Sequence, residues 1–462
     1  MTKIVIVGGG YAGFYAARKL ERILRRGEAE VTLIDPRPYM TYQPLLPEVA
    51  AGSVEPRHTV VSHRRHLKRT NVITAAVTGI SHADKKVTAA NADGTTFEID
   101  YDVVLVTAGA VSRTFPIPGV ADEAFGLKNV EEAAAIRDRL ISNFHKAAAL
   151  PAGPERDRLL TVTVVGGGFA GIEVFAELRS LASYLVRQHP TLKFEDTHFH
   201  LIEAMGRIMP EVSHEASLWV IKSLAEHGAQ VHLDTQLASA VGGKIELSTG
   251  ETFESDLIVW TAGVMANPVV RSTDLPVEER GRLRARADLR VEGDEGIVEG
   301  AWTAGDVAAV PDLTGNGVAG FCVPNAQHAV RQGKLLAKNV AAVLRGEEPR
   351  EYLHHSIGAV AGLGLWNGVF TGGKKKFWLK GWIAWLAHRG YHGLAIPTWE
   401  RKLRVFGGWI GHFFLRRDTV ELSATQTPRY EFERFASRPR PAEPAAAPVA
   451  EKKPAAKKAA AK

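Results

Sequence analysis

The sequence predicts an α/β fold with two Rossmann-type dinucleotide-binding domains, one inserted in the other, and a C-terminal region of amphipathic helices. Three observations lead there. A β-branched strand runs into a G-x-G-x-x-G turn at Gly8, Gly10 and Gly13. The same device recurs at Gly166, Gly168 and Gly171. Tryptophans and basic residues then crowd together between Trp366 and Arg417.

The first unit opens the chain. Ile4 to Val7 have the composition of a strand buried on both faces of a parallel sheet, and Phe14 to Leu20 read as a helix. The glycines give the tight turn, the approach of backbone to pyrophosphate and the contact of helix with strand. The helix N-terminus presents free N–H groups to phosphate. Asp35 closes the run Val31–Ile34 about twenty residues on, where a carboxylate can accept from a ribose. Pro36 to Glu48 is too rich in proline for a regular element and reads as a loop or helix start, with Pro44 in the cofactor crevice. Residues 59–99 alternate apolar and polar with turns at Gly79 and Asp93-Gly94, the pattern of an antiparallel insertion. Tyr101 to Val106 return to a buried strand that ends in Thr107-Ala108-Gly109.

Residues 129–149 read as a helix, and Pro151 and Pro154 precede the second glycine strand. A helix runs from Gly171 towards Gln188, and the second acid, Glu203, stands about thirty residues past Gly171, farther than the usual spacing. A helix between Glu215 and His227 and a strand at Gln230–Leu233 follow. A strand ending in Thr261-Ala262-Gly263 then repeats the first half, the mark of a duplicated fold. Strand residues lead to Gly305-Asp306, where a carboxylate can meet a ribityl hydroxyl, and Asn325 onward to residue 344 forms a long helix. Two dinucleotide sites in one chain suit hydride transfer from a nicotinamide to a flavin.

At 462 residues, with 45% apolar and 23% charged residues, the chain has the size and composition of a soluble two- or three-domain protein. Its net charge of +6 fits an anionic surface or a basic tail. A single cysteine, Cys322, excludes an intrachain disulfide and a C-x-x-C redox pair; it reads as a buried small residue. We expect no secretory signal and no spanning helix.

The paired glycine turns, the two T-A-G turns and Trp302-Thr303-Ala304-Gly305-Asp306 resemble the two-dinucleotide flavoprotein disulfide reductase superfamily. Within it, Thr41-Tyr42-Gln43-Pro44-Leu45-Leu46-Pro47 and Ala326-Gln327-His328-Ala329-Val330-Arg331-Gln332-Gly333 resemble the type II (non-proton-pumping) NADH:quinone oxidoreductases, over roughly residues 1–420. The resemblance implies non-covalent FAD on Gly8, Gly10, Gly13 and Asp35, with Asp306 further along it and Pro44, Ala108, Gly109 and Ala326 in its crevice. It implies NADH on Gly166, Gly168 and Gly171, with Glu203 on the adenosine ribose and Gly263 nearby. An acid there repels a 2′-phosphate, which favours NADH over NADPH. Glu173 would stand at the nicotinamide–flavin junction; its other reading is a first-turn acid meeting the helix dipole. Gln327 would line the quinone site, and Arg331 stands where the family often has a second glutamine. Disulfide and sulfide:quinone reductases need paired cysteines, so those relatives are excluded.

Between 351 and 417 the only acids are Glu351 and Glu400, against Lys374, Lys375, Lys376, Lys380, Arg389, Arg401, Lys402, Arg404, Arg416 and Arg417. Residues 377–389 and 402–417 read as two short amphipathic helices whose Trp and Phe suit the headgroup boundary and whose cations suit anionic lipid. Packing at a dimer interface or in a small core is the other use for these aromatics, and the resemblance implies a homodimer. Basic aromatic stretches beside two dinucleotide turns, without a nucleic-acid fold, are not read as a nucleic-acid surface.

The expected organisation is a FAD domain in two parts, 1–125 and 268–350, with an NADH domain inserted at 126–267. A membrane-associating region covers 351–422, and a disordered Pro/Ala/Lys tail covers 423–462. The expected activity is electron transfer from NADH through FAD to a membrane quinone, on the cytoplasmic face of the membrane and without proton pumping. The alternatives are a soluble reductase of the same fold with a protein acceptor, and a slow redox-sensing protein.

Overall fold

Ile4, Val5, Ile6 and Val7 are almost wholly buried, because their strand, Thr2–Val7, lies in the middle of a six-stranded sheet. On one side Ala29–Asp35 and then Asn71–Thr74 pair with it in parallel. On the other come Val103–Val106 and Gly296–Thr303, also parallel, and an antiparallel edge strand, Arg290–Gly293. The structure, a computed structural model, describes residues 1–315, 317–356, 358–372, 377–421, 429 and 433.

A second, five-stranded sheet repeats the order with parallel pairing throughout: Ala124–Phe125, Leu257–Trp260, Thr161–Val165, His198–Ile202 and Ala229–His232. In each sheet the glycine-turn strand sits between the strand ending in the acid and the strand ending in T-A-G. The helices that follow the turns are Tyr11–Ile23 and Phe169–Val186. Each sheet also carries a three-stranded antiparallel meander, at residues 76–100 in the first half and 237–254 in the second. The two halves are joined by a ribbon in which Ala110–Ser112 pairs antiparallel with Val264–Ala266.

The helix Ala326–Leu344 closes the first sheet over the glycine-turn helix. Small residues permit the approach: a Cβ on Gly333 would lie 2.3 Å from the Ala12 carbonyl oxygen.

Two expectations are corrected. The stretch 59–99 is not one antiparallel insertion. Val60–Ser62 pairs with Tyr39–Thr41, His63–His66 makes a helical turn, and Asn71–Thr74 is the parallel edge strand; only Ala76–Ser81, Lys86–Ala90 and Thr96–Asp100 form the meander. A short β-branched run looks the same in either pairing, and topology decides. Near the C-terminus, Phe377–Lys380 is a strand, third in a sheet with Gly358–Gly362 and Gly368–Gly372, and not the start of a helix. Gly381, at φ +71°, turns the chain into helix Trp382–Ala395. A second helix, Trp399–Leu415, starts at Thr398, whose Oγ1 accepts from Arg401 N at 3.3 Å.

These two helices divide their aromatic and basic residues between inside and outside. Trp382, Trp399, Leu403 and Phe414 are exposed. Trp385 and Arg389 are buried, the guanidinium held 4.6 Å from the Trp385 ring and 4.8 Å from that of Trp409. Arg417 is likewise turned inward, with Nη2 3.8 Å from Glu177 Oε2. Arg389 and Arg417 are therefore not part of a lipid-facing cationic surface. Lys374, Lys375 and Lys376 lie outside the described residues.

Among the described residues no helix is long and apolar enough to cross a membrane. Residues 1–421 form one compact unit. Of the other, Arg429 and Glu433 are described and pair at 3.1 Å; the rest of the expected tail lies outside the described residues.

Candidate active site: two glycine cradles and their cavities

The first cradle is held open by backbone packing. Gly8 has φ +95°, and a Cβ on Gly13 would fall 1.9 Å from the Gly8 carbonyl oxygen, so only glycine lets the helix approach this closely. Thr107 Oγ1 fixes the strand end, within donating distance of the carbonyls of Val7 (3.1 Å) and Gly8 (2.8 Å). Asp35 accepts from Gly9 N at 2.6 Å and Arg37 N at 2.7 Å. Burial raises its carboxyl pKa against the pull of those two amides. His63, which sequence reasoning missed, stands behind the turn with Nε2 2.8 Å from the Gly9 carbonyl oxygen.

The second cradle is the same device. A Cβ on Gly171 would lie 1.9 Å from the Gly166 carbonyl oxygen, and Thr261 Oγ1 reaches the carbonyls of Val165 (2.9 Å) and Gly166 (3.1 Å). Glu203 accepts from Gly167 N at 2.5 Å and from Met205 N at 2.8 Å. Its long spacing from Gly171 is taken up by the eighteen-residue helix Phe169–Val186 and the turn at Phe194–Asp196.

A cavity of about 690 Å³ runs along the first cradle, lined by Gly8, Gly10, Asp35, Ala108, Gly109 and Asp306 among others. Gly13 lies behind this wall. Asp306 is pushed up by burial and drawn down by Lys128. Gln332, also missed, accepts from Gly305 N at 2.8 Å and so holds the turn that carries Asp306. A second cavity, of about 800 Å³, has Pro44, Glu173, Gly263, Gln327 and Arg331 in its wall. Tyr11, Gln43, Lys128, Asn325 and Ala326 line both, so the two spaces meet. Gly166, Gly168, Gly171 and Glu203 belong to neither wall.

Gln327 and Arg331 sit one turn apart on a helix capped by Asn325, whose Oδ1 accepts from His328 N at 2.9 Å. Arg331 Nη1 donates to the Gln327 carbonyl at 2.9 Å. Glu173 is buried, accepts from Gly362 N at 3.0 Å and stands 2.9 Å from His388 Nε2. It is thus tied to the C-terminal region and does more than meet its own helix dipole.

His388 opens a buried cluster that sequence reasoning did not anticipate. Its ring lies 4.6 Å from that of His392, and His392 Nδ1 is 3.1 Å from the Tyr42 hydroxyl. Glu48, in the short helix Leu46–Ala50, accepts from Trp409 Nε1 at 2.6 Å and pairs with Arg389 at 3.3 Å. Burial pushes His392 well below the usual imidazole value, and the neighbouring His388 adds to it. The one available signal was spacing: 388, 389 and 392 share a helical face, which marks a polar stripe turned inward.

Comparison with known proteins agrees with this geometry. A family profile described as pyridine nucleotide-disulphide oxidoreductase matches residues 2–333. The external alternative NAD(P)H-ubiquinone oxidoreductase B2 of Arabidopsis thaliana mitochondria is 33% identical over 327 residues, 67% of this chain and 54% of that protein. The chain thus spans about half the length of this plant relative. A type II NADH:quinone oxidoreductase of Staphylococcus saprophyticus is 30% identical over 380 residues, 79% of this chain and 89% of its own. The NDH2 structure from Plasmodium falciparum in complex with NADH has the same fold, with TM-score 0.82 and 19% identity over 91% of this chain and 99% of that one. Two glycine cradles on duplicated sheets and these matches lead to one conclusion: the chain belongs to the pyridine nucleotide-disulphide oxidoreductase family, in its type II NADH:quinone oxidoreductase branch.

Proposed function

We propose that this chain is a FAD-dependent oxidoreductase that passes electrons from NADH to a membrane quinone without pumping protons. The observation that carries the reading is the meeting of two cavities between the cradles, walled in common by Tyr11, Gln43 and Ala326.

The first cradle suits FAD. Its glycine turn leaves no room for a Cβ at Gly8 or Gly13, Asp35 is oriented by two backbone amides, and the buried Asp306 stands farther along the same cavity. Bound FAD would supply two-electron chemistry, accepting hydride and returning electrons to a quinone. The second cradle suits NADH, since Glu203 favours a free ribose hydroxyl over a phosphate. Hydride transfer is governed by position rather than by an acid or base, which is the work of these rigid turns. Reduction of a quinone to the quinol needs two electrons and two protons: the hydride supplies both electrons and one of the hydrogens, and the other proton comes from solvent. Glu173, Gln327 and Arg331 line the second cavity as proton-handling and polarising groups for that step.

The proposed domain bounds are 1–125 and 268–350 for FAD and 126–267 for NADH. Exposed Trp382, Trp399, Leu403 and Phe414 beside Arg404 suit an anionic lipid surface from which quinone enters. The cytoplasmic face and a homodimer are proposed from the family resemblance.

The purified chain should be yellow, bleach with NADH and recover its colour with a short-chain quinone. A colourless chain unable to take up FAD, or one bleached by NADPH and not by NADH, overturns the reading. Replacing Trp399 and Phe414 together by serine should abolish liposome binding and long-chain quinone turnover while sparing the short-chain reaction. Turnover with long-chain quinone that survives this change would favour a soluble reductase.

A further inference from the structure

Away from both cavities, three metal-ligating side chains converge on the outer part of the second sheet. His200 lies in strand His198–Ile202, His232 ends the neighbouring strand Ala229–His232, and Glu251 stands just before Thr252–Glu254. His200 Nδ1 is 3.1 Å from His232 Nε2, and one donor atom from each of the three residues lies within 4.8 Å of the others. Two nitrogens on one tetrahedral zinc, each bound at about 2.0–2.1 Å, are separated by about 3.3 Å, so the imidazoles already stand at the chord of a common ion.

The surroundings fix two ligands and leave the third free to close. The His200 ring is stacked on Phe253 at 3.8 Å, and His200 is buried. The Glu251 carboxylate is about half exposed and 3.7 Å from His232 Nδ1. A hydrogen bond between the rings explains the 3.1 Å contact; the carboxylate comes from a different strand connection, nearest the other nitrogen of His232 but with donor atoms of all three residues within 4.8 Å, and closes on the ion by a side-chain rotation.

We propose that His200, His232 and Glu251 bind one divalent transition-metal ion of the zinc class, with water completing the coordination. Two imidazoles and one carboxylate suit Zn²⁺, Co²⁺ or Ni²⁺ rather than Ca²⁺ or Mg²⁺. The ion joins three segments next to the second cradle, because the His232 carbonyl accepts from Glu203 N at 2.8 Å. Its effect is to stiffen the strand ends that carry Glu203. The site does not depend on the redox reading.

The test uses the full chain as purified, freed of any affinity tag and stripped with a chelator, then titrated with Co²⁺ and afterwards with Zn²⁺. The expected result is one equivalent of Co²⁺ with the visible absorption of a tetrahedral site, displaced by Zn²⁺, and a higher melting temperature with Zn²⁺. Glu251→Gln changes an exposed side chain and should weaken Co²⁺ binding about tenfold or more. His232→Gln should remove the tetrahedral spectrum, and circular dichroism reports whether it folds. The proposal is overturned if the parent binds no stoichiometric ion, or if Glu251→Gln and a folded His232→Gln both bind as the parent does.

Discussion

At Gly13 and at Gly171 a Cβ would come within 1.9 Å of a carbonyl oxygen, and at both turns a threonine, Thr107 or Thr261, ties down the last two strand carbonyls. The two cradles are alike in backbone. They differ in what closes them. The first lies under helix Ala326–Leu344, with Gly333 against Ala12, and Gly305 approaches the same residue from the Asp306 turn. His63 supports it from behind at Gly9. The second has Gly166, Gly168, Gly171 and Glu203 outside both cavity walls and reaches the second cavity through its helix, at Phe169, Ala170 and Glu173, and through the strand end and turn at Trp260, Thr261 and Gly263. Under the proposed function, one backbone motif would serve two ends: the roofed cradle would retain the cofactor, and the other would exchange its substrate. The walls, not the glycines, make that difference.

Equal damage to the two cradles should have unequal consequences. Gly13→Ala and Gly171→Ala force the same clash, and overpacking of this kind costs about 1–3 kcal/mol. That is about five- to 150-fold in an equilibrium constant. Gly13→Ala should yield a chain depleted of flavin. Gly171→Ala should stay yellow and lose NADH reduction about a hundredfold at limiting substrate. Flavin content and stopped-flow bleaching decide, and equal flavin loss in both would mean that the roof does not matter.

A smaller effect separates the two acids. Glu203 accepts two backbone amides, and hydrogen bonds to charged groups contribute about 1.5–3 kcal/mol. Glu203→Gln should lower kcat/KM for NADH about tenfold or more while leaving NADPH nearly unchanged, narrowing the preference between them. Asp35→Gln should instead alter flavin retention and leave that preference alone. A variant that keeps full discrimination would remove Glu203 from the ribose.

How far these differences were legible depends on distance along the chain. The cradles were visible because each is local: strand, turn, helix and acid follow one another in both, with Gly8, Asp35 and Gly166 where the pattern requires and Glu203 farther on than usual. The parallel order of both sheets follows from the same repeats. The walls were not visible. Arg389 read as a lipid-facing cation because its neighbours are aromatic, yet its partner is Glu48, far away in sequence. Gln332 and His63 act through backbone groups brought near only by the closed fold. Phe377–Lys380 satisfied a helical pattern and became a strand because the Gly368–Gly372 edge of a two-stranded ribbon was there to pair with it.

The smallest predicted effect concerns the position two residues past the third glycine, Tyr15 in the first unit and Glu173 in the second. Burial raises the Tyr15 phenol to about 12, so it carries no charge near neutrality. Glu173 instead faces His388. Burial alone would push the His388 imidazole down; Glu173 at 2.9 Å and Glu48 at 4.0 Å outweigh it, against Arg389, and hold it above its usual value, with His392 alongside. A group raised on folding contributes stability below its unfolded pKa, about 6.5 for histidine, and loses it as pH climbs through the folded value. His388→Gln should therefore lower the melting temperature most at mildly acidic pH, with the gap to the parent narrowing as pH rises above neutrality. Tyr15→Phe should give a difference that is flat over the same range. A gap for His388→Gln that is equally flat would mean that the ring is neutral when folded, and that Glu173 is held by the Gly362 amide alone.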